Sequence, residues 1–125
     1  MMGSKYHNLK TRVSNGQIAD SRKEARRYEE LLLLQRAGKI SDLRTQVPYE
    51  LIPAQYETYE RYGKNGNRLK DGIKLVERAV NYVADFVYIE DGKTIVEDTK
   101  GVRTPDYIIK RKLMLHIHGI RIQEV

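Results

Sequence analysis

The chain has no cysteine among its 125 residues, which excludes a disulfide framework and any thiolate metal site. A reducing cytoplasm suits such a composition. Long apolar runs are missing too. Nothing approaches the roughly 20 residues that a membrane-spanning helix needs, and the start MMGSKYHNLK lacks the apolar stretch of a signal peptide. The expectation is a soluble cytoplasmic protein. At this length there is room for one compact domain with a core, not for two. What the sequence has in excess is positive charge, 23 basic against 17 acidic residues for a formal net charge of +6. That is a modest bias toward polyanions such as nucleic acid.

Residues 1–19 are polar, basic and broken by SNG, and read as a flexible basic arm ahead of a single domain over 20–125. The domain opens with DSRKEARRYEELLLLQRAGKI. There Ala25, Tyr28, Leu31, Leu32 and Leu34 recur at helical spacing, Asp20 or Ser21 can cap the start, and Gly38 suits a left-handed stop. TQVPYELIPA alternates over Val47, Tyr49 and Leu51 as a short strand limited by Pro48 and Pro53. Residues 55–77 are Tyr-rich and then rich in Gly, Asn and Lys, with no sustained period, and read as a long functional or mobile insertion. Two strands follow at about 78–89 and 94–100. Thr104 and Pro105 then start a helix that runs to Gly119. IRIQE closes the chain as a strand parallel to the one carrying Asp98. The order implies an α/β or α+β fold.

EDGK between the two strands at 78–89 and 94–100 predicts a type I′ turn at Asp91 and Gly92. Glu90 then faces Lys93, and the same register sets Asp85 opposite Asp98. Alternation places Val83, Val87, Ile89, Val96 and Lys100 on the same face. Two opposed carboxylates on an apolar face destabilise a sheet unless something compensates them. Mg²⁺, which accepts one or two carboxylates and keeps sites for water and phosphate, is the natural compensation. A lysine beside it can stabilise charge on a phosphate. The alternative is an exposed strand end with paired surface charges.

ADF followed by VEDTKG resembles the core of the PD-(D/E)XK nucleases. SRKEARRYEELLLLQRAGKI, QVPYELIP, VADFVY, VEDTKG and YIIKRKL, in that order over residues 5–122, resemble a family of small phage and prophage proteins of unassigned function within that superfamily. Ala84 stands where the first motif has its proline, and Pro105-Asp106 is a decoy that opens a helix. The resemblance implies a restriction-endonuclease-like core, a mixed central sheet flanked by helices with a hairpin carrying the active site. It implies catalysis by Asp85, Asp98, Lys100 and Glu24. Mg²⁺ (or Mn²⁺) would be held by Asp85, Asp98, Glu24 and the carbonyl of Thr99, with Gln46 as an auxiliary. Ser21 and Glu24 also fit a capping box, which would give Glu24 a structural role instead.

The function this implies is a metal-dependent DNA endonuclease of phage or prophage origin, working in the cytoplasm of a bacterial host. Branched DNA such as a Holliday junction is the favoured substrate and a homodimer the working form. DNA contacts are expected from Lys64, Arg68, Lys70, Lys74, Arg103, Lys110 and Lys112. Tyr56, Tyr59 and Tyr62 read as core or surface residues before base-stacking ones, and His116 and His118 as helix-end residues. A non-catalytic nucleic-acid-binding module and a phage structural or interaction protein are the other classes.

Overall fold

The computed structural model describes residues 11–12, 18–19 and 21–125. Much of the expected N-terminal arm, and the capping candidate Asp20, lie outside them. Within that arm β1 (Thr11–Arg12) pairs antiparallel with β2 (Ile18–Ala19). Helix α1 (Arg22–Arg36) starts where Ser21 Oγ accepts the Glu24 N–H at 3.1 Å and ends at Ala37, followed by Gly38 at φ +78°. Its buried stripe is Ala25, Tyr28 and Leu31, spaced by three residues so that one face turns inward.

Strand β3 (Ser41–Ile52) is longer than its sequence suggests and runs through Pro48. It forms one edge of a four-stranded sheet ordered β3-β6-β7-β8, and an edge strand tolerates a residue without an N–H. Strands β6 (Val80–Glu90) and β7 (Lys93–Asp98) make the expected hairpin, with Asp91 at φ +52° and Gly92 at φ +76° as a type I′ turn demands. The register holds from Glu90↔Lys93 to Phe86↔Glu97. Helix α2 (Pro105–His118) has Thr104 as N-cap and Gly119, at φ +68°, as its left-handed stop. It returns the chain to β8 (Gln123–Glu124), parallel to β7 as expected. The result is a mixed α/β fold with a mixed sheet and two helices.

The insertion is not an irregular connection. Strands β4 (Gln55–Tyr62) and β5 (Arg68–Glu77) form a separate two-stranded antiparallel arm. Gly63 N–H to Asn67 O (2.8 Å) and Gly66 N–H to Gly63 O (3.0 Å) close its tip. Nearly every residue of both strands is exposed, so no buried face exists to impose an alternating pattern on the sequence.

The main sheet carries a core on each side. Phe86 and Tyr88 pack with Ala25, Tyr28 and Leu31 of α1, whereas Tyr82, Ala84, Val87 and Val96 pack with Tyr107 and Met114 of α2. Residues 82 to 88 of even number would share one face of a regular strand. Here the parity inverts between Ala84 and Phe86. β3 inverts in step, since Leu43 packs with the α1 core and Val47, Tyr49 and Leu51 with the other. The inversion falls at Gln46, which has φ +52°, and at Asp85. The flanking partners are Thr45↔Phe86 and Val47↔Ala84. Val83, expected on the inner face, is therefore 46% exposed, and Tyr82 takes the inner position.

One buried ion pair fastens α1 to the sheet. Arg27 donates from Nε to Glu97 Oε1 (2.8 Å) and from its terminal nitrogen to Oε2 (2.7 Å), and the Tyr88 hydroxyl donates to the same carboxylate. Glu97 is fully buried. Removing one partner of such a pair leaves an uncompensated charge. Arg27→Ala is expected to cost about 3–5 kcal/mol in urea unfolding, and Arg27→Leu combined with Glu97→Leu much less.

Candidate active site

The inversion in β6 lifts Asp85 out of the ladder just where β7 ends. Its Oδ2 accepts both the N–H and the hydroxyl of Thr99, each at 2.8 Å, and its Oδ1 lies 3.4 Å from Gln46 Nε2. The same Gln46 nitrogen donates to Glu24 Oε2 at 3.2 Å. Glu24, Gln46, Asp85 and Thr99 thus form one connected group, drawn from α1, β3, β6 and the end of β7. Ser21 accepts the Glu24 N–H as in a capping box, while the Glu24 carboxylate reaches Gln46.

Asp98 closes the group from the α2 side and is 2% exposed. Its Oδ2 accepts the Tyr82 hydroxyl at 2.7 Å. Its Oδ1 is buried and has no hydrogen-bond partner, and the Lys100 ammonium stands off at 3.6 Å, beyond hydrogen-bonding reach. Burial pushes the Asp98 carboxyl above the usual carboxylate range and the nearby Asp85 adds to this, while the Tyr82 hydroxyl and Lys100 pull the other way. Tyr82 in turn is pushed well above the ordinary phenol value by burial and by its bond to Asp98. Lys100 also sits 4.8 Å from the centre of the Tyr107 ring, which steadies the ammonium beside Asp98.

The donor set suits a hard cation. Asp98 Oδ1 is a buried carboxylate oxygen that receives no hydrogen bond and faces the Lys100 ammonium at 3.6 Å, with a second carboxylate, Asp85, nearby. Among the described residues no three His, Cys, Asp or Glu side chains converge closely enough to cage a metal. The fit is therefore to an ion that takes one or two carboxylates and fills its remaining positions with backbone oxygen, water or substrate, as Mg²⁺ does. Glu24 is linked to Asp85 through Gln46.

Beyond Lys100 lies an open depression of about 470 Å³ lined by Lys23, Lys100, Gly101, Arg103, Glu124 and Val125. Glu124 organises its rim. Arg103 Nε (2.9 Å), the Tyr107 hydroxyl (2.7 Å) and Arg111 (3.2 Å) all donate to it, and the Val125 N–H bonds the Asp98 carbonyl at 3.0 Å. These donors, Arg103 first, draw the Glu124 carboxyl down to about 2.

Of the basic residues expected at DNA, Arg103 is in this rim. Lys110 and Lys112 lie on α2, with Lys112 at a separate cleft beside Arg111 and Arg121. Lys64 lies in the tip of the β4–β5 arm and Arg68, Lys70 and Lys74 on β5, with Arg68 paired to Asp71 and Lys74 to Glu57. His118 Nε2 lies 2.7 Å from the Glu50 carbonyl and its ring packs on Tyr49, a tie between α2 and β3. Two members of the site, Tyr82 and Lys23, have no sequence signal. Tyr82 is hidden by the inverted parity, and Lys23 is one of several cations on α1.

A family model described as a protein of unknown function (DUF1064) matches residues 3–123. The chain belongs to the DUF1064 family. No curated protein and no solved structure matches it. The family match spans every residue of the site from Glu24 to Arg103. No helix among the described residues is long and apolar enough to cross a membrane.

Two outcomes test this geometry without reference to any reaction. Asp98→Asn removes a buried charge and is expected to raise the melting temperature in EDTA at neutral pH, whereas an exposed aspartate would leave it unchanged. Glu124, whose carboxyl is lowered in the folded state, contributes stability that is present above about pH 4.5 and lost as the pH falls toward 2. Glu124→Gln should flatten that acid limb of the unfolding curve and leave the rest of its shape unaltered.

Proposed function

We propose that the protein is a metal-dependent endonuclease of the PD-(D/E)XK type that hydrolyses phosphodiester bonds in DNA. The observation that carries this reading is the Asp98 Oδ1 atom, buried and without a hydrogen-bond partner, with Lys100 ion-paired to it at 3.6 Å. Asp85, Asp98 and the Thr99 carbonyl would hold Mg²⁺ or Mn²⁺, with Glu24 joined to them through Gln46. When bound, such an ion offsets the repulsion of the two acids and makes a water acidic enough to attack phosphorus. Thr99 holds Asp85 in place with two hydrogen bonds, and Tyr82 holds Asp98 with one. Lys100 presents its ammonium where negative charge builds on the phosphoryl oxygens. Lys23 and Arg103, across the depression, offer positive charge to a neighbouring phosphate of the same strand.

The substrate we favour is branched DNA such as a four-way junction. The site is an open depression on a small basic domain, which suits recognition of backbone shape better than of base sequence. The setting is a bacterial cytoplasm, with the chain of phage or prophage origin. A purely binding role would leave Asp98 Oδ1 buried without a hydrogen-bond donor for no return, so the catalytic reading is preferred.

The test is Mg²⁺-dependent cleavage of linear, single-stranded, flap and four-way substrates. Asp85→Ala, Asp98→Ala and Lys100→Ala are each expected to lose at least about 10²-fold in rate while still binding DNA. Glu24→Gln separates the two roles of that residue. Gln serves equally well in a capping box, so unchanged stability with lost activity marks a metal role. Wild-type cleavage by Asp98→Ala would end the assignment.

A further inference from the structure

We infer that the β4–β5 arm is a self-association element, through which two copies of the chain join edge to edge along β4 about a two-fold axis at Tyr59. The inference rests on the arm alone and not on the nuclease reading. A two-stranded hairpin by itself is marginal in water and needs further strands or a covering body. This arm leaves Tyr56 (62%), Tyr62 (57%), Ile73 (70%) and Leu75 (47%) exposed, far more apolar surface than a backbone-binding ribbon requires. Between residues 55 and 77 there are five basic and four acidic residues, and two of the cations are already paired within the arm. That near-neutral balance favours protein over DNA as its partner.

The two edges of the arm differ. Going from Gln55↔Glu77 to Tyr56↔Leu75, and again from Tyr59↔Gly72 to Arg61↔Leu69, the extra residue belongs to β5 each time. Bulges spoil β5 as a template for another strand, whereas β4 runs unbulged with its outer edge unpaired. The sequence of β4 is complementary to itself when reversed. In YETYERY, residues 56–62, an antiparallel second copy centred on Tyr59 sets Glu57 against Arg61, Tyr56 against Tyr62, Thr58 against Glu60 and Tyr59 against Tyr59. Opposite charges and aromatic pairs directly across an antiparallel ladder stabilise it, and a two-fold axis makes each off-axis contact twice and the Tyr59 contact once. Arg61 has no ion-pair partner within its own chain among the described residues and gains one in the pair. A foreign protein would have no reason to match this order of residues.

The absence of native cysteine makes the register directly measurable. In Tyr59→Cys the single thiol faces its own copy, within the reach of a disulfide, whereas in Thr58→Cys the two thiols are offset by two residues and out of range. Oxidation at tens of micromolar is expected to give a crosslinked species of twice the 14.6 kDa chain mass for Tyr59→Cys and not for Thr58→Cys. Tyr56→Cys mixed with Tyr62→Cys should crosslink where neither does alone. Arg61→Glu should weaken wild-type dimerisation by at least tenfold in sedimentation, and Glu57→Arg combined with Arg61→Glu should restore it. A wild-type chain that sediments as a monomer at about 100 µM overturns the inference. So does equal crosslinking at 58 and 59, or association that appears only when DNA is added. Because Arg61 is outside the candidate active site, Arg61→Glu should retain metal-dependent nicking, so loss of the dimer and loss of the nuclease reading are separate results.

Discussion

Burying a carboxylate costs several kcal/mol unless a cation or hydrogen-bond donors replace the water it loses, and β7 buries two in succession. Glu97 and Asp98 are adjacent in sequence, so they face opposite sides of the sheet. On the α1 side Glu97 receives a two-point contact from Arg27 and a third bond from Tyr88. On the α2 side Asp98 receives one hydroxyl and a lysine held at 3.6 Å, with Oδ1 left over. The same strand thus shows how this protein neutralises a buried acid, and leaves the next one unfinished. Under the proposed function that unfinished acid is what a cation would use, since a fully satisfied carboxylate has no lone pair to offer.

The Glu97 pair also decides where the rest of the site stands. Arg27 is three residues beyond Glu24 on α1, so both project from the same face of the helix. Anchoring Arg27 to the middle of the sheet holds Glu24 over Gln46 and Asp85. The second requirement is met by the backbone. A regular ladder would have continued to Asp85↔Asp98 and set the two carboxylates in direct opposition. The inversion at Gln46 and Asp85 frees Asp85 to bond Thr99 instead, which holds the two acids near one another without forcing them into contact. A left-handed backbone at Gln46 is strained for a non-glycine residue, and such strain persists only where surrounding structure enforces it.

The hairpin register, the I′ turn, both helix caps and the parallel return of β8 were legible because each rests on local chemistry: Asp-Gly at a turn, Ser and Thr before helices, glycine after them. The grouping of Glu24, Gln46, Asp85, Asp98, Thr99 and Lys100 followed from that register together with the family resemblance. What the sequence hid has a common cause. Period-two reasoning puts Val83 on the inner face and gives Tyr82 no role because it assumes an unbroken strand, and nothing in TQVPYE or VADFVY announces an inversion. The arm is hidden for the opposite reason, since two strands exposed on both faces carry no pattern of burial to read. Lys23 comes to the site only through the docking of α1, a tertiary fact.

The arm is a separate two-stranded sheet, but it is joined in register to the strands that carry the site. Ile52↔Val80 and Gln55↔Glu77 share a register, so β4 and β5 continue β3 and β6 past Pro53 and Ala54. Gln46, opposite the kink that carries Asp85, is 13 residues from Tyr59 along the chain. At about 3.4 Å per residue, a two-fold axis at Tyr59 puts the two sites no more than about 90 Å apart. That is a contour limit, and any bend at Pro53 shortens it. On the proposed nuclease reading each site is assembled from one chain, since Glu24, Gln46, Asp85 and Thr99 are connected and Lys100 pairs with Asp98 within a single copy. Were the arm to pair as inferred and the site to act as proposed, dimerisation would add avidity and a fixed antiparallel orientation of the two sites. A DNA with two-fold symmetric strands would exploit that arrangement, and a single linear duplex would gain much less from it.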